Sequence, residues 1–330
     1  MVIILIVVVV IVLLFLFTPY PGSMIIKAAF DRDHGIQDIE LYDHLSKEVE
    51  VIKDITYPSQ FQKNQLDIYV PQAVNESLPV VFWIHGGGYV GGDKHLMREF
   101  AVYLAHMARV IVVTVNYQLA PSLQYPGQLQ QVDEAYRFMV ENKSQYPFCD
   151  LDRVFFGGDS AGGQIAAQYV LVQTNEDYAR DLSMTRSVPS DSLLGMISYC
   201  GPLDLSQMAN EQSSNLAMDF FMRTVAWSIL GEIKWKEHPM LTETSLVGHL
   251  NQDFVPSYLT DGNSLSFASQ GIAFAQRLEE LQVPVKTLFF EDIKDVIAHE
   301  YQFNFKTKEG QKNLENTIKF IKENIERKIS

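Results

Sequence analysis

The first residues of the chain form an apolar run that nothing later in the sequence resembles. After Met1, the sixteen residues 2–17 are all apolar, and the segment Thr18-Pro19-Tyr20-Pro21-Gly22 is predicted to end any helix there. A helix of that length spans roughly 25 Å, close to the lower limit for crossing a bilayer, and its lack of charge excludes an amphipathic surface helix. Residues 1–22 are predicted to be a membrane anchor or a signal sequence; a buried core helix or strand is the alternative.

The flanks of the apolar run favour an uncleaved anchor over a cleaved signal sequence. No basic residue precedes the run, and no Ala-x-Ala type of cleavage site follows it. The first cations, Lys27 and Arg32, are balanced by Asp31 and Asp33, so the orientation in the membrane is only weakly indicated. Because an anchor and a signal both predict export, residues 23–330 are expected to form one membrane-anchored or exported domain outside the cytoplasm.

From about residue 50, short apolar runs alternate with longer stretches of helical periodicity. This alternation predicts βαβ units, and so an α/β domain with a mostly parallel central sheet flanked by helices. The predicted strands are residues 65–70, 79–84, 110–115, 153–156, 193–199, 255–259 and 285–290. The predicted helices are residues 94–108, 128–142, 161–173, 266–281 and 310–327.

One segment interrupts the alternation. Residues 205–253 lie between two late strands, where a single crossover helix would suffice, and they predict an insertion. Two readings are equally favoured: a cap over an apolar pocket, or an insertion with its own small core. Both depend on the same apolar side chains, which are Met208, Met218, Phe220, Phe221, Met222, Trp227 and Trp235.

The composition restricts the partners of this domain. The 330 residues include 26 lysines and arginines against 40 acidic residues, a net charge of −14. That balance repels phosphate backbones, so nucleic acid is excluded as a partner and anionic lipid headgroups are disfavoured. The two cysteines, Cys149 and Cys200, have no metal-type spacing, and their places at opposite ends of neighbouring strands predict that no disulfide joins them.

The sequence Gly158-Asp159-Ser160-Ala161-Gly162 is the strongest chemical signal in the chain. This G-x-S-x-G lies between a predicted strand and a predicted helix, the context in which a nucleophilic serine stands on a sharp, strained turn. The glycines remove Cβ atoms that would clash there, and the helix N-terminus directs backbone N–H groups at a developing oxyanion. Ser160 is therefore predicted to be a nucleophile.

A second glycine-rich motif, His85-Gly86-Gly87-Gly88-Tyr89, directly follows a predicted strand. Successive glycines allow backbone N–H groups to face a cavity, so Gly87, Gly88 and Ala161 are predicted to form a three-donor oxyanion hole. Tyr89 and Asp159, which adjoin these residues, are predicted to contact the substrate. A phosphate-binding loop is disfavoured because the motif lacks the Gly-Lys-Ser/Thr ending and the GxGxxG spacing.

Three motifs together resemble the hormone-sensitive-lipase-like branch of the α/β-hydrolases. They are residues 85–89, residues 158–163 and Asn116-Tyr117-Gln118-Leu119-Ala120-Pro121. Bacterial esterases that act on acetyl or feruloyl esters share these motifs. The resemblance covers about residues 55–325 and implies an α/β-hydrolase fold with serine esterase activity. Gln118 departs from the arginine common in that family, which removes a structural cation but no catalytic group.

The chain order of the fold selects the general base. Five of the eight histidines precede Ser160, which leaves His238, His249 and His299 for the order serine, acid, histidine. His238 and His249 lie in the insertion, whereas His299 follows the last predicted strand, where this fold places its histidine. His299 is therefore the predicted base.

The acid is less clearly indicated. The resemblance places it after the strand 255–259, where Asp261 is available, although the usual Asp-Pro-Leu sequence is replaced by Ser264-Leu265-Ser266. Asp204, after the preceding strand, is the alternative acid, or else a helix cap. Asp292, Asp295 and the absence of any acid stay open.

These roles predict a carboxylic ester hydrolase that acts on short- to medium-chain acyl esters through an acyl-enzyme. The substrate is expected to be a small-molecule or polysaccharide-linked ester, with no cofactor. No metal is expected, because the residue four positions after His299 is Phe303 rather than a second histidine. The alternatives are a catalytically silent binding module and a peptidase or amidase for small peptides; the oligomeric state is not predicted.

Overall fold

The central element of the structure, a computed structural model that describes residues 2–73, 75–210 and 216–329, is a single sheet. Within these residues the sheet has eight strands in the order β1-β2-β4-β3-β5-β6-β7-β8. β2 is antiparallel to both of its neighbours, and every other adjacent pair of strands from β4 to β8 is parallel. The strands are β1 (Val49–Thr56), β2 (Gln65–Pro71), β3 (Leu78–Ile84), β4 (Ile111–Val115), β5 (Cys149–Asp159), β6 (Leu193–Tyr199), β7 (Ser257–Thr260) and β8 (Val285–Leu288).

Helices cover both faces of the sheet. Alternate residues of β3 show the division: Phe82 faces the core shared with α5 and α6, while Trp83 faces the core shared with α4 and α12. The helices are α1 (Val2–Phe17), α2 (Tyr20–Phe30), α3 (Ile39–Leu45), α4 (Arg98–Ala108), α5 (Gly127–Glu141), α6 (Ala161–Thr174), α7 (Glu176–Asp181), α8 (Leu205–Asn210), α9 (Leu216–Leu230), α10 (Met240–Glu243), α11 (Ala268–Glu280) and α12 (Lys308–Ile329).

The α/β architecture, the seven predicted strands and the five predicted helices are confirmed, with ends that differ by a few residues. β5 begins four residues before the predicted strand, and the helix predicted over 94–108 begins as a short 3-10 turn, Lys94–Met97. β1 was not predicted because it is an edge strand, and its exposed residues do not alternate regularly with its buried ones. The two cysteines are both buried and free.

The insertion is also confirmed as a helical segment between β6 and β7. It contains α8, α9 and α10 together with two short 3-10 helices, Trp235–Glu237 and Leu246–His249. Residues 211–215 of this insertion lie outside the described residues. Trp227 and Trp235 are buried, and Trp235 belongs to the main core of the domain, so this part of the insertion packs on that core.

The N-terminal helices meet at a sharp bend. In the described chain, no single helix is long and apolar enough to cross a membrane. Together, α1 and α2 reach the required length and apolar composition, but they are bent by 83° where they meet. The first helix ends at Phe17 as predicted, but Tyr20, Pro21 and Gly22, which were predicted to break any helix, begin α2. Proline is compatible with the first turn of a helix, where its missing N–H has no partner to lose. Ser23 and Ile26 of α2 are buried, so α2 belongs to the main domain.

A buried ion pair anchors the antiparallel edge of the sheet to the glycine-rich loop. The Lys94 ammonium lies 2.6 Å from Asp67 of β2 and 2.7 Å from Asp54. Burial acts to lower the pKa of Lys94, but the hydrogen bonds and charges of the two carboxylates outweigh it and raise the pKa overall. The backbone N–H of Lys94 donates to Asn116 Oδ1 at 2.7 Å, which joins this pair to the loop after β4.

We expect Lys94→Met to lower the free energy of unfolding by about 3–5 kcal/mol, because it leaves the buried Asp67 carboxylate without its counter-ion. Lys63→Met is the matched control, since the Lys63–Asp93 pair is partly exposed and is expected to contribute less than about 1 kcal/mol. Urea denaturation followed by tryptophan fluorescence measures both. Equal midpoints for the two variants would contradict the structural role of Lys94.

Candidate active site

Ser160 stands on a strained turn between β5 and α6. Its φ of 48° and ψ of −119° lie outside the regions that a serine ordinarily occupies, at a cost of about 1–3 kcal/mol. The neighbouring glycines make the turn possible: a Cβ on Gly158 would lie 2.4 Å from Gly162, and one on Gly162 would lie 2.0 Å from the Ile84 carbonyl oxygen. The Ser160 N–H donates to the Tyr199 carbonyl at 2.7 Å, which fixes the turn to β6.

The structure brings His299 to Ser160. His299 lies in the loop after β8, and its Nε2 is 3.0 Å from Ser160 Oγ. The Phe267 ring packs edge-on against the imidazole, with 5.6 Å between the ring centres. The backbone N–H of His299 donates to the Ser264 carbonyl at 3.0 Å. The side chain is 22% exposed, so it is held by packing yet remains open toward the cavity.

Asp261 lies behind the imidazole, at the end of β7. Its Oδ1 is 3.6 Å from His299 Nδ1, longer than an ordinary hydrogen bond, and Nδ1 has no other partner within the described residues. Backbone N–H groups of Gly262 and Phe267 donate to the two carboxylate oxygens at 2.7 and 2.6 Å. These bonds hold a buried carboxylate beside the histidine.

Asp204, the alternative acid, has a different role. Its Oδ1 accepts from the N–H groups of Ser206 and Gln207 at the start of α8 and from the Ser245 hydroxyl at 2.5 Å. Burial acts to raise the pKa of Asp204, but these hydrogen bonds outweigh it and lower the pKa overall. Asp204 is therefore a helix cap. Asp292 and Asp295 are exposed.

The other two candidate histidines are not at this site. His238 accepts from the Met240 N–H at 3.3 Å, and the His249 ring packs against Tyr178 at 4.7 Å, both within the insertion or against its flank. His299 is thus the histidine that the structure places beside Ser160. Burial acts to lower the pKa of His299, but the adjacent charge of Asp261, with smaller contributions from Glu300 and Asp159, raises the pKa overall.

The glycine-rich loop lies beside the serine with its N–H groups available. The backbone N–H groups of Gly87, Gly88 and Ala161 have no hydrogen-bond acceptor in the part of the chain that the structure describes. Gly88 and Ala161 line the cavity that contains Ser160, whereas Gly87 lines a neighbouring cavity behind the loop. Gly87 and Gly88 have φ values of 107° and 58°, which side chains rarely adopt, so the loop requires glycine at both positions.

His85 supports this loop from behind. Its ring stacks on Tyr117 at 4.5 Å, and burial lowers the pKa of His85 to about 4, so the ring is neutral. Nδ1 lies 2.7 Å from the Gly86 carbonyl, which only accepts, and therefore carries the proton. The Tyr117 hydroxyl donates to the His85 carbonyl at 3.0 Å, so residues 116–121 stabilise the loop.

Asp159 does not contact the Ser160 cavity, contrary to its predicted role in substrate binding. Its carboxylate is buried and accepts from Trp83 Nε1 at 2.9 Å and from the Gly86 N–H at 2.8 Å. Both oxygens are therefore engaged in joining the serine turn to the glycine-rich loop. Tyr89 does line the cavity, and its hydroxyl donates to Gln164 at 3.0 Å.

A second buried carboxylate, Glu300, was missed by sequence reasoning. Burial and the neighbouring charge of Glu300 raise the pKa of Asp159 to about 7, and burial also raises the pKa of Glu300. The two hydrogen bonds that the Asp159 oxygens accept act in the opposite direction and lower the pKa of Asp159. The position of Glu300 directly after His299 was the available signal, but nothing in the sequence showed that it meets Asp159.

The insertion and α2 together enclose the site. A cavity of about 1350 Å³ opens over Ser160, and the prediction of a cap is confirmed by five of the seven apolar residues named for it. These are Met208, Met218, Phe221, Met222 and Trp235. Phe30, at the end of α2, also lines the cavity and packs against Phe221 at 6.0 Å, a contribution that the sequence did not predict.

One cluster of metal-type ligands occurs in the described residues. Ligand atoms of Cys200, Asp261 and His299 lie within 4.8 Å of one another. Burial raises the pKa of the Cys200 thiol well above its usual value, and backbone N–H groups occupy the Asp261 oxygens. A protonated thiol is a poor ligand, and His299 directs its other nitrogen to Ser160, so the donor set fits a serine–histidine–carboxylate arrangement better than a metal site.

Family models and relatives agree with this geometry. A model for the alpha/beta hydrolase fold matches residues 81–298, and one for the carboxylesterase family matches residues 30–122. Carboxylesterase NlhH of Mycobacterium tuberculosis is 30% identical over 221 residues, 66% of each chain. Esterase LipI of the same organism is 32% identical over 212 residues. The chain spans 66% and 62% of the lengths of these two relatives.

Solved structures show the same fold. Esterase B from Lactobacillus rhamnosis is 22% identical and matches with a TM-score of 0.70, covering 85% of this chain and 88% of its own. A bacterial heroin esterase, 19% identical, matches with a TM-score of 0.66 and covers 92% of this chain and 97% of its own. With the strand order, the strained serine turn and the matched family model in agreement, the chain belongs to the α/β-hydrolase fold family.

Proposed function

We propose that this protein hydrolyses carboxylic esters with Ser160 as nucleophile, His299 as general base and Asp261 as the supporting acid. The observation that carries the proposal is the 3.0 Å contact between His299 Nε2 and Ser160 Oγ at the floor of a large apolar cavity. The available N–H groups of Gly88 and Ala161 beside the serine support an oxyanion hole, to which Gly87 contributes the third donor.

The mechanism follows from the directions of these groups. Ser160 Oγ attacks the ester carbonyl carbon while its proton passes to His299 Nε2, which requires the neutral ring with its proton on Nδ1 facing Asp261. The carbonyl oxygen becomes an oxyanion beside the glycine-rich loop. His299 returns the proton to the departing alcohol as the carbon–oxygen bond breaks. The acyl-enzyme is then hydrolysed by water that His299 activates, and no cofactor takes part.

The substrate range that we propose is short- to medium-chain acyl esters of small alcohols or of polysaccharides. A cavity of about 1350 Å³ with methionine and aromatic side chains has room for acyl groups longer than acetyl. We further propose that α1 anchors the protein to a membrane with the catalytic domain outside the cytoplasm, since all of its residues are apolar and none is buried.

The proximity of Asp261 to His299 favours an enzyme over a silent binding module, because a silent fold has no need of a buried carboxylate aimed at the histidine. An amidase shares the same machinery, and it differs in requiring a protonated leaving amine. Rates on matched ester and amide substrates separate the two activities.

Hydrolysis of a p-nitrophenyl ester series from acetate to decanoate tests the activity directly. We expect the full-length protein to hydrolyse the series and Ser160→Ala to lose turnover by several orders of magnitude, because the nucleophile is absent. Ser266→Ala is the control, a serine at the edge of the same cavity. Turnover that survives in Ser160→Ala would contradict the proposed nucleophile, and failure of the folded wild-type protein on every ester would support a silent fold.

The pH profile of kcat/KM tests His299. Protonated His299 cannot accept the serine proton, so activity is lost as the pH falls through the pKa of this residue. Since that pKa is raised, the acid limb is expected to have its midpoint above the ordinary histidine value of 6.5, with an optimum at neutral to alkaline pH. A maximum near pH 4 would contradict a histidine base.

Substitution of the two candidate acids separates their roles. Asp261→Asn is expected to lower kcat about 10²–10⁴-fold, because the amide no longer stabilises the protonated imidazole or its productive tautomer. Asp204→Asn is expected to leave kcat within about threefold and to cost at most about 1 kcal/mol of stability, as a change of helix cap does. The opposite ranking in kcat would reassign the acid to Asp204.

A further inference from the structure

Helix α1 presents apolar side chains to its surroundings on every face. Its 16 residues carry no charge, and none of them is buried by the rest of the described chain. A helix that is apolar all round requires a non-aqueous environment, either a protein interior or a lipid bilayer. Only Thr18 and Pro19 separate α1 from α2. The non-aqueous environment at the end of α1 therefore also extends to the start of α2.

Helix α2 is packed on cap helix α9 without a gap. A Cβ on Gly22 would lie 2.8 Å from Thr224 and 3.3 Å from the Phe220 ring, so the two helices approach as closely as only glycine allows. Ile26, one turn after Gly22, is buried on the same side. The two helices are therefore in close contact.

The outward side of this pair is apolar and uncharged along α2. Its exposed residues are Tyr20, Met24, Ile25, Ala28 and Ala29, and the single charge of the helix, Lys27, is paired with Asp31. Met24 is 68% exposed and Ile25 is 56% exposed. On α9, Leu216 is 85% exposed and Phe220 adjoins Gly22, while the exposed charged residues Asp219 and Arg223 lie beside them and line the Ser160 cavity. We call the side chains of Tyr20, Met24, Ile25, Leu216 and Phe220 the α2–α9 face.

The same two helices form the wall of the catalytic cavity. Phe30 of α2 and Phe221 of α9 pack on each other, and a Cβ on Gly88 would lie 3.3 Å from Phe221 and 3.6 Å from Phe30. Gly91 of the glycine-rich loop contacts α2 so closely that a Cβ there would lie 2.9 Å from Phe30. The Asp31 carboxylate also accepts from the Gly92 N–H at 3.0 Å. The two helices that carry the α2–α9 face therefore also line the Ser160 cavity.

We propose that the α2–α9 face lies in the interface of a lipid bilayer and that ester substrates dissolved in that bilayer enter the Ser160 cavity beside the α2–α9 pair. The occupant is a bilayer because the face is continuous with α1, whose residues are left exposed by everything that the structure describes. The net charge of −14 favours a bilayer of neutral headgroups. The substrate class is water-insoluble carboxylic esters with medium-length acyl chains, an assignment that rests on the proposed ester hydrolysis.

Fluorescence labelling tests the position of the face without reference to activity. In the full chain reconstituted in phosphatidylcholine vesicles, a nitrobenzoxadiazole label is attached to Met24→Cys, Leu216→Cys or the control Val140→Cys. Cys149 and Cys200 are buried, so the new thiol is the reactive one. Val140 is 37% exposed near the end of α5, which leads toward the edge of the sheet opposite Ser160. We expect doxyl-labelled lipid to quench the labels at residues 24 and 216 and to leave the label at residue 140 bright.

Two results of the labelling experiment would overturn the proposal. The first is equal emission and equal quenching at all three positions, which would place the face in water. The second is burial of the labels at residues 24 and 216 that appears without vesicles and increases with protein concentration. That outcome would assign the face to a second copy of the chain.

Kinetics on two forms of ester test the entry route. Ile25→Glu and Leu216→Glu place a charge on exposed positions, so the fold is retained and the hydrolysis of dissolved p-nitrophenyl acetate is expected to be unchanged. On p-nitrophenyl decanoate held in phosphatidylcholine vesicles, both variants are expected to lose about tenfold or more in rate, while Val140→Glu keeps the wild-type rate. Equal rates for all variants on the vesicle substrate would overturn the entry route.

The two experiments separate failure of the inference from failure of the proposed function. If the wild-type protein hydrolyses neither ester but lipid quenches the labels at residues 24 and 216, the proposed ester hydrolysis is refuted and the lipid-facing surface is supported. Wild-type protein that hydrolyses p-nitrophenyl acetate but shows no quenching would keep the esterase and refute the surface.

Discussion

The buried carboxylate of Asp159 joins the two glycine-rich turns on which the site depends. It accepts from Gly86 in one turn and lies directly before Ser160 in the other, while Trp83 donates to its second oxygen. The strained Ser160 turn and the available N–H groups of the glycine-rich loop are thus held in one rigid unit. Burial and the charge of Glu300 raise the pKa of this carboxylate, and its two donors partly offset that rise.

The N-terminal segment is part of the catalytic unit rather than an appendage to it. Glycines at positions 22 and 91 let α2 approach both the cap and the glycine-rich loop, and Phe30 completes the cavity wall. The position of α2 therefore constrains the position of the glycine-rich loop beside Ser160. This contact gives a physical reason why the surroundings of the N-terminal helices would bear on catalysis at Ser160.

The acid shows how tertiary contacts compensate for a departure from the family's sequence. The Asp-Pro-Leu sequence is absent, and Ser264-Leu265-Ser266 stands nearby instead. The backbone N–H of Phe267 donates to the Asp261 carboxylate, and the Phe267 ring packs against the His299 ring. The backbone N–H of His299 donates in turn to the Ser264 carbonyl. The short loop after β7 thereby connects acid and histidine, which leaves Asp204 free to cap α8.

Local pattern was sufficient for the sheet, the flanking helices, the serine turn and the choice of His299, because periodicity, strained glycine turns and chain order are all properties of neighbouring residues. Pattern also located the insertion, but not which of its side chains face Ser160. The meeting of Asp159 with Glu300, the wall formed by Phe30 and the position of Asp261, rather than Asp204, beside His299 depend on residues far apart in the chain. Only packing brings such groups within hydrogen-bond or van der Waals distance, so the tertiary structure alone decided them.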